Sequence, residues 1–215
     1  MVNRMSLQVF LLDVWGILAS LAVAVLIYWF GGAMAMEYLA LMFVFLICGT
    51  IVTVMGREKK EEMGIYEYGR SWRNVVANGI VPVIALMLGS PAAYFGALAG
   101  IAADKFSSEI GALGGEPVFL GNFKKVKRGT SGAVSALGTV AGFVGAEIVA
   151  IAVYLLFPNV GMVHALLLPF AGLLGSMADS IAGIWETRGL GDKSTSNLAG
   201  AVAGAVLGAL IFALV

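Results

Sequence analysis

Charge is scarce in this chain. Of 215 residues only 12% are Asp, Glu, Lys or Arg, against 60% hydrophobic, and the mean hydropathy is +0.95, which excludes a soluble domain whose surface must be wetted all round. Cysteine is nearly absent too. Cys48 stands alone in an apolar run, so neither a disulfide framework nor a thiolate metal centre can be built. Cations are missing from three connections, near 31–37, 89–91 and 158–161, and that third absence carries orientation. What fills the chain instead is apolar length.

A membrane-spanning helix needs roughly 20 predominantly apolar residues. Seven segments meet this: about 9–30, 38–56, 73–89, 91–111, 131–157, 161–185 and 196–215. The expected fold is therefore all-α, a polytopic transmembrane helical bundle forming a single domain. The first segment is interrupted by Asp13 and lacks a cleavage site, so it is read as a retained helix and not a signal peptide. With seven spans, Arg4, the cations of the 57–73 loop, Lys105, those of the 112–130 loop, Arg188 and Lys193 all fall at the side that holds the N-terminus. The positive-inside rule then makes the N-terminus cytoplasmic. The formal net charge of zero says nothing on this point.

Against that background Asp104, Lys105, Ser107, Ser108 and Glu109 form the densest polar cluster within an apolar segment. A charge at membrane depth is costly unless paired, hydrated or bound, so such a cluster marks a functional site by default. Asp104, Ser107 and Ser108 share a helix face, and Lys105 pairs with Glu109 at i, i+4. Asp104 and Glu109 point about 140° apart on an ideal helix, so they converge on one ion only if the helix ends or bends between them, for which Gly111, Gly114 and Gly115 are at hand. On the expected topology Asn78, Asp104, Glu109, Asp179, Ser180 and Asn197 all lie in the cytoplasmic half. A transport pathway would scatter polar groups across the membrane or set them at its midplane; this pattern describes a pocket open to one side.

The second constellation is Lys124, Lys125, Lys127 and Arg128 followed by Gly129, Thr130, Ser131 and Gly132, leading into the fifth segment. Glycines and hydroxyls at a helix N-terminus present free N–H groups and a positive dipole end, which suits phosphate. With carboxylates able to hold Mg²⁺, a cation usually bound by one or two carboxylates plus substrate phosphates, the outline is a nucleotide or polyphosphate site at the membrane surface. Plainer readings stand beside it. A basic cytoplasmic loop can simply touch anionic lipid, and Lys105 with Glu109 can be a structural pair. The series Gly200, Gly204, Gly208 and Gly138, Gly142, Gly145 are expected to be close-packing faces. Glu147, deep in the fifth segment, is expected to pair with a neighbouring helix or with a second copy in a homodimer. His164 and the trio Tyr28, Trp29 and Phe30 are expected at the interfaces.

The block Ala103-Asp104-Lys105-Phe106-Ser107-Ser108-Glu109-Ile110-Gly111, with Phe123-Lys124-Lys125-Val126-Lys127-Arg128-Gly129-Thr130-Ser131-Gly132-Ala133-Val134-Ser135, resembles the signature of the integral-membrane family that contains plant phytyl-phosphate kinase. Arg73-Asn74 with Ala77-Asn78-Gly79, and the stretch from Gly175 through Asp179 and Ser180 to Gly183, are similar to two further motifs of that family. The resemblance runs from about Arg70 to the C-terminus; the two helices of residues 1–56 match only in character. It implies a kinase that moves the γ-phosphoryl group of a nucleoside triphosphate, CTP above all, to a polyisoprenyl monophosphate of the phytyl or geranylgeranyl kind. Relatives within the group imply two alternatives, a CDP-lipid-forming cytidylyltransferase and an isoprenyl-alcohol kinase.

By the same resemblance, Asp104, Glu109 and Asp179 would hold Mg²⁺, and Lys124, Lys125, Lys127 and Arg128 with residues 129–132 would bind phosphate oxygens. Asn78, Lys105, Ser108 and Asn197 would complete the nucleotide site. Lys105 stands where the family has threonine. An acceptor that is already a phosphate needs no strong base, which fits a site without histidine. The isoprenoid tail would lie in a lateral groove between helices. The expected setting is the cell (plasma) membrane with the site on its cytoplasmic side; nucleic acid is not an expected partner. A cation-coupled transporter is the alternative from another class.

Overall fold

The structure is a computed structural model and describes residues 11–215; Arg4 and the first residues of the 9–30 segment lie outside the described residues. Each expected apolar segment coincides with one long helix: α1 (Val14–Phe30), α2 (Ala35–Val54), α4 (Trp72–Met87), α5 (Pro91–Gly111), α6 (Ala136–Leu156), α7 (Met162–Glu186) and α8 (Lys193–Leu214). A short polar helix, α3 (Arg57–Glu62), follows α2. The molecule is an all-α bundle of membrane type. Among the described residues four helices are long and apolar enough to cross a membrane: α2 with the turn before it, α6, α7 and α8. α1 and α4, of 17 and 16 residues, reach only about 25 Å at 1.5 Å per residue.

Local chemistry sets the helix ends. Asp13, expected to interrupt the first segment, starts it instead: its Oδ1 accepts the Gly16 N–H at 2.6 Å as N-cap. Pro91 opens α5, where its missing N–H costs nothing. Asp192 and Thr195 form a capping box at the start of α8, and the Thr195 N–H and hydroxyl hold the Asp192 carboxyl below its usual range.

α5 is the hub, packed against α2, α4, α6, α7 and α8. Apolar lipid gives helices no hydrophobic reason to associate, so close backbone approach must do it, and glycine permits it. A Cβ on Gly175 would lie 2.9 Å from the Gly200 carbonyl oxygen and 3.2 Å from the Gly100 Cα; α5, α7 and α8 meet there nearly backbone to backbone. On the other side of α5, Cβ atoms at Gly138, Gly142 and Gly145 of α6 would sit 3.0, 3.0 and 2.8 Å from the carbonyl oxygens of Ser107, Ala103 and Ala102. Both glycine series are packing faces. The end of the bundle where α5 begins is packed with aromatic rings: Phe95 and Phe157 have ring centroids 4.6 Å apart, and the buried Tyr94 hydroxyl donates to the Tyr38 carbonyl at 2.8 Å.

At the other end, residues expected to run directly into the fifth segment fold first into a small antiparallel sheet. Strands β1 (Val118–Phe119), β2 (Lys124–Lys125) and β3 (Ala133–Val134) pair in the order β2-β1-β3. Strands of two residues are too short for sequence alternation to reveal. α6 begins only after β3, with Ser135 accepting the Gly138 N–H at 3.1 Å.

Candidate functional site

The glycine junction decides where the acids go. Asp104 lies one turn beyond Gly100 on α5 and Asp179 one turn beyond Gly175 on α7, so backbones that touch at the glycines bring the two carboxylates side by side. Between them stands Lys193, the first residue of α8, its Nζ 3.0 Å from Asp179 Oδ1 and 3.8 Å from Asp104 Oδ2. Asp179 is 4% exposed, and its Oδ2 is buried with no hydrogen-bond partner among the described residues. Formally the trio is one negative charge in excess. The capping box at Asp192 fixes Lys193 at the helix start, a signal readable from Asp192 and Thr195.

These residues line a small polar pocket of about 160 Å³ together with Ser107, Ser108, Ser180 and the turn 128–133. Gly129 and Gly132 have φ of +81° and +76°, the left-handed region that glycine tolerates. A Cβ on Gly132 would lie 2.9 Å from the Ile184 N, so the turn rests directly on α7. Ser131 donates to Glu186 Oε2 at 2.5 Å and Thr130 to the Lys127 carbonyl at 2.7 Å. The backbone N–H groups of Gly129, Ser131 and Gly132 make no hydrogen bond among the described residues. Free amides on a positive-φ turn are the donors that anion-binding turns use. The expectation that these amides belong to a helix N-terminus is corrected: β3 and the Ser135 cap separate them from α6.

Of the four loop cations only Arg128 lines the pocket, its Nε donating to the Gly115 carbonyl at 3.2 Å. Lys124 and Lys125 are exposed on β2 and Lys127 is exposed just beyond it; Lys125 pairs with Glu116 and holds that carboxyl below its usual range.

Glu109 is drawn elsewhere. α5 runs unbroken through Gly111, so the bend that would let Glu109 join Asp104 is missing. Its oxygens instead accept from Lys60 at 2.6 Å, from Thr53 at 3.0 Å and from Lys105. Lys60 is 1% exposed and also donates to the Val52 and Thr53 carbonyls at 3.1 and 3.0 Å. Lys105 further reaches Glu67 at 3.4 Å. Among the described residues no three acidic, histidine or cysteine side chains gather as a metal-binding group: Glu109 stands apart from Asp104 and Asp179, so the three do not form the expected triad. Asn78, hydrogen-bonded to Asn74 at 3.2 Å, and Asn197 line a second, larger cavity and not the polar pocket.

That cavity is a groove of about 880 Å³ among α1, α2, α4 and α5, apolar along Leu21, Met36, Leu39, Met42 and Leu46. Asp104, Ser108, Ala112, Gly129 and Lys193 line both cavities. They form the common wall.

The model of one protein family matches residues 2–203. The chain belongs to the integral membrane protein family DUF92. The match takes in the first two helices, beyond the Arg70 boundary of the motif resemblance. An uncharacterized membrane protein of Methanocaldococcus jannaschii is 34% identical to this DUF92 chain over 199 residues, covering 89% of the chain and 82% of the relative. Protein PGR of Arabidopsis thaliana is 30% identical over 183 residues, and the match covers 68% of the chain and 63% of that relative. No solved structure matches.

Proposed function

We propose that the protein is a membrane-embedded phosphotransferase that uses a nucleoside triphosphate, CTP in the first instance, to convert an isoprenyl monophosphate to the diphosphate. One observation carries the reading: a polar pocket with paired carboxylates and free amides shares a wall with an apolar groove of lipid dimensions. A donor rich in phosphates and an acceptor with one long tail need that pair of environments. The common wall is where their reacting groups would meet.

Phosphoryl transfer asks the protein for positioning and charge neutralisation more than covalent chemistry. An oxygen of the acceptor phosphate attacks the γ-phosphorus, the bond from that phosphorus to the bridging β-oxygen breaks, and the nucleoside diphosphate leaves with the electron pair. The attacking oxygen is already deprotonated at neutral pH, so no base is needed. Arg128 and the amides of residues 129, 131 and 132 bind phosphate oxygens and stabilise the charge that gathers during transfer. Lys193 orients Asp104 and Asp179 and neutralises one of them. The excess negative charge and the orphaned Asp179 Oδ2 suit Mg²⁺, which Asp104 and Asp179 would hold and which, when bound, would shield the triphosphate.

The polar residues of both cavities lie where α5 and α7 end and α4, α6 and α8 begin. This single-ended arrangement favours an enzyme over a transporter, and we place it on the cytoplasmic side of the cell membrane, where nucleotide is available. The test is purified protein in lipid nanodiscs with radiolabelled nucleoside triphosphates and phytyl or geranylgeranyl monophosphate. Label in the lipid diphosphate, strongest with CTP, is the expected result. Pyrophosphate release with a CDP-lipid product would replace the reading by a cytidylyltransferase, phosphorylation of the free alcohol by an alcohol kinase, and no turnover with any of the four nucleotides would overturn it.

A further inference from the structure

The polar end of the large groove holds a charge that nothing nearby uses up. Arg70 is 7% exposed and lines the groove. Its backbone is pinned by the N-terminal strand-like segment, with its N–H donating to the Leu11 carbonyl at 2.7 Å. One end of the guanidinium is anchored too: Nη2 donates to the Gly49 carbonyl at 2.7 Å and to Thr53 Oγ1 at 2.8 Å. Among the described residues, Nε and Nη1 make no hydrogen bond, and no carboxylate lies within 4.0 Å of the group. Burial pulls its pKa below the ordinary arginine value, opposed by the more distant charges of Glu67 and Glu109.

The neighbouring lysines cannot take the place of Arg70 as a binder. All three ammonium protons of Lys60 have acceptors, and Lys105 is shared by Glu67 and Glu109. Counted together, Lys60, Lys105 and Arg70 face Glu67 and Glu109, so this end of the groove carries one formal positive charge. The neighbouring trio of Asp104, Asp179 and Lys193 carries one negative charge. Arg128 lines the polar pocket beside that trio and cancels its charge, so the uncompensated cation stands at the head of the groove. A buried charge is stable only when paired and hydrogen-bonded, and an anion at the head of the apolar channel would supply Arg70 with that partner.

We propose that the groove among α1, α2, α4 and α5 is the binding site of a single-tailed lipid with a phosphate headgroup, and that the Nε and Nη1 face of Arg70 grips that phosphate. The fork geometry of guanidinium suits two phosphate oxygens at once. At about 880 Å³ the groove is at the upper end of the roughly 300–1,000 Å³ of single-ligand cavities, which suits one long tail. The assignment deepens the acceptor half of the proposed reaction and does not require nucleotide.

The experiment is therefore run without nucleotide. Binding of phytyl monophosphate, phytol and inorganic phosphate to detergent-purified protein is measured by native mass spectrometry for the wild type, Arg70→Lys and Arg70→Gln. A phytyl phosphate with a diazirine in its tail maps the occupied cavity in the wild type. Phytyl monophosphate is expected to bind in preference to both controls and to lose roughly tenfold to hundredfold in affinity with Arg70→Gln, the scale of a charged hydrogen-bond pair. Arg70→Lys, which keeps the charge and can reach the Gly49 carbonyl, is expected to lose less. Phytol binding should be the same in all three proteins. Crosslinks are expected on α1 and α2 between residues 21–24 and 39–46. Crosslinks on the outer bundle surface, equal binding by both variants, equal competition by inorganic phosphate, or a diacyl phospholipid that occupies the groove regardless of Arg70 would each overturn the proposal. Unfolding of Arg70→Gln leaves the Arg70→Lys comparison and the crosslink map to decide. Should binding hold while transfer fails, the kinase reading falls alone; should transfer persist unchanged in both variants, this assignment falls alone.

Discussion

At the scale of single residues, the most informative side chain is Lys193, whose ammonium occupies the point between two carboxylates that a divalent cation would also favour. Removing it leaves Asp104 and the buried Asp179 facing each other with no counter-charge; because the Lys193 side chain is 50% exposed, solvent screens part of the loss and the cost is below the roughly 3–5 kcal/mol of a fully buried pair. Lys193→Met is therefore expected to lower the thermal midpoint, and Mg²⁺ should restore it: a ligand at 100 times its Kd adds about 2.7 kcal/mol of stability. Thermal unfolding of detergent-purified protein against Mg²⁺ concentration reads this without any turnover. The wild type, with the ammonium in place, should respond less. If Mg²⁺ stabilises neither Lys193→Met nor the wild type, the two carboxylates are not a cation site. Asp179→Asn makes the complementary case. It keeps the shape and the hydrogen bond to Lys193 but removes the charge, so transfer should fall at least about a hundredfold, the scale for losing one charge-stabilising group, while the fold survives. Turnover in nanodiscs beside a thermal melt separates the two effects.

At the scale of elements, the glycine contacts make α5, α7 and α8 one unit. Gly208 is the cleanest place to separate them, because a Cβ there would lie 2.7 Å from both the Ala92 carbonyl oxygen and the Gly96 Cα, and backbone cannot give way as a flexible side chain can. Gly208→Val is expected to destabilise by about 1–3 kcal/mol and to reduce transfer although the substitution lies at the opposite end of the helices from Asp104, since the spacing of α5 and α8 sets where Lys193 stands against Asp104. Wild-type activity at a lowered thermal midpoint would show that the site does not depend on that spacing. The same contacts explain what the sequence could reveal. Apolar length located all seven long helices, with α5 at 91–111 as expected, because bilayer thickness imposes a length requirement on each apolar run. Glycine spacing marked the packing faces. Asp104 and Asp179 could be grouped by depth alone. Depth does not report azimuth, however, and Glu109 went to Lys60, a partner 49 residues away on a short polar helix with no apolar signal. Arg70 and Lys193 were hidden for a related reason: each reads as a loop cation until the fold buries it or sets it at a helix start.

At the scale of the whole molecule, the bundle has two unlike ends, one closed by aromatic rings and one carrying both cavities, the sheet and the basic loop. In the proposed reaction nucleotide reaches the site only if the second end faces the cytoplasm, the side that the Lys and Arg distribution predicts. Single cysteines test this directly once Cys48 is changed to alanine. Asn122 lies on the exposed turn beyond β1, and Asn159 on the exposed connection between α6 and α7, so neither substitution disturbs packing. In intact cells a membrane-impermeant maleimide is expected to label Asn159→Cys and to spare Asn122→Cys, with the second becoming reactive after the membrane is opened. The reverse pattern would put the carboxylate pair and the free amides on the face that lacks nucleoside triphosphates, and a kinase at that position would have no donor. Labelling of both from outside would mean mixed insertion, for which a loop asymmetry this consistent gives no physical reason: the cations of the 57–73 and 112–130 loops each favour the same side at about 1 kcal/mol per residue near an anionic leaflet, and those contributions act together on one rigid bundle.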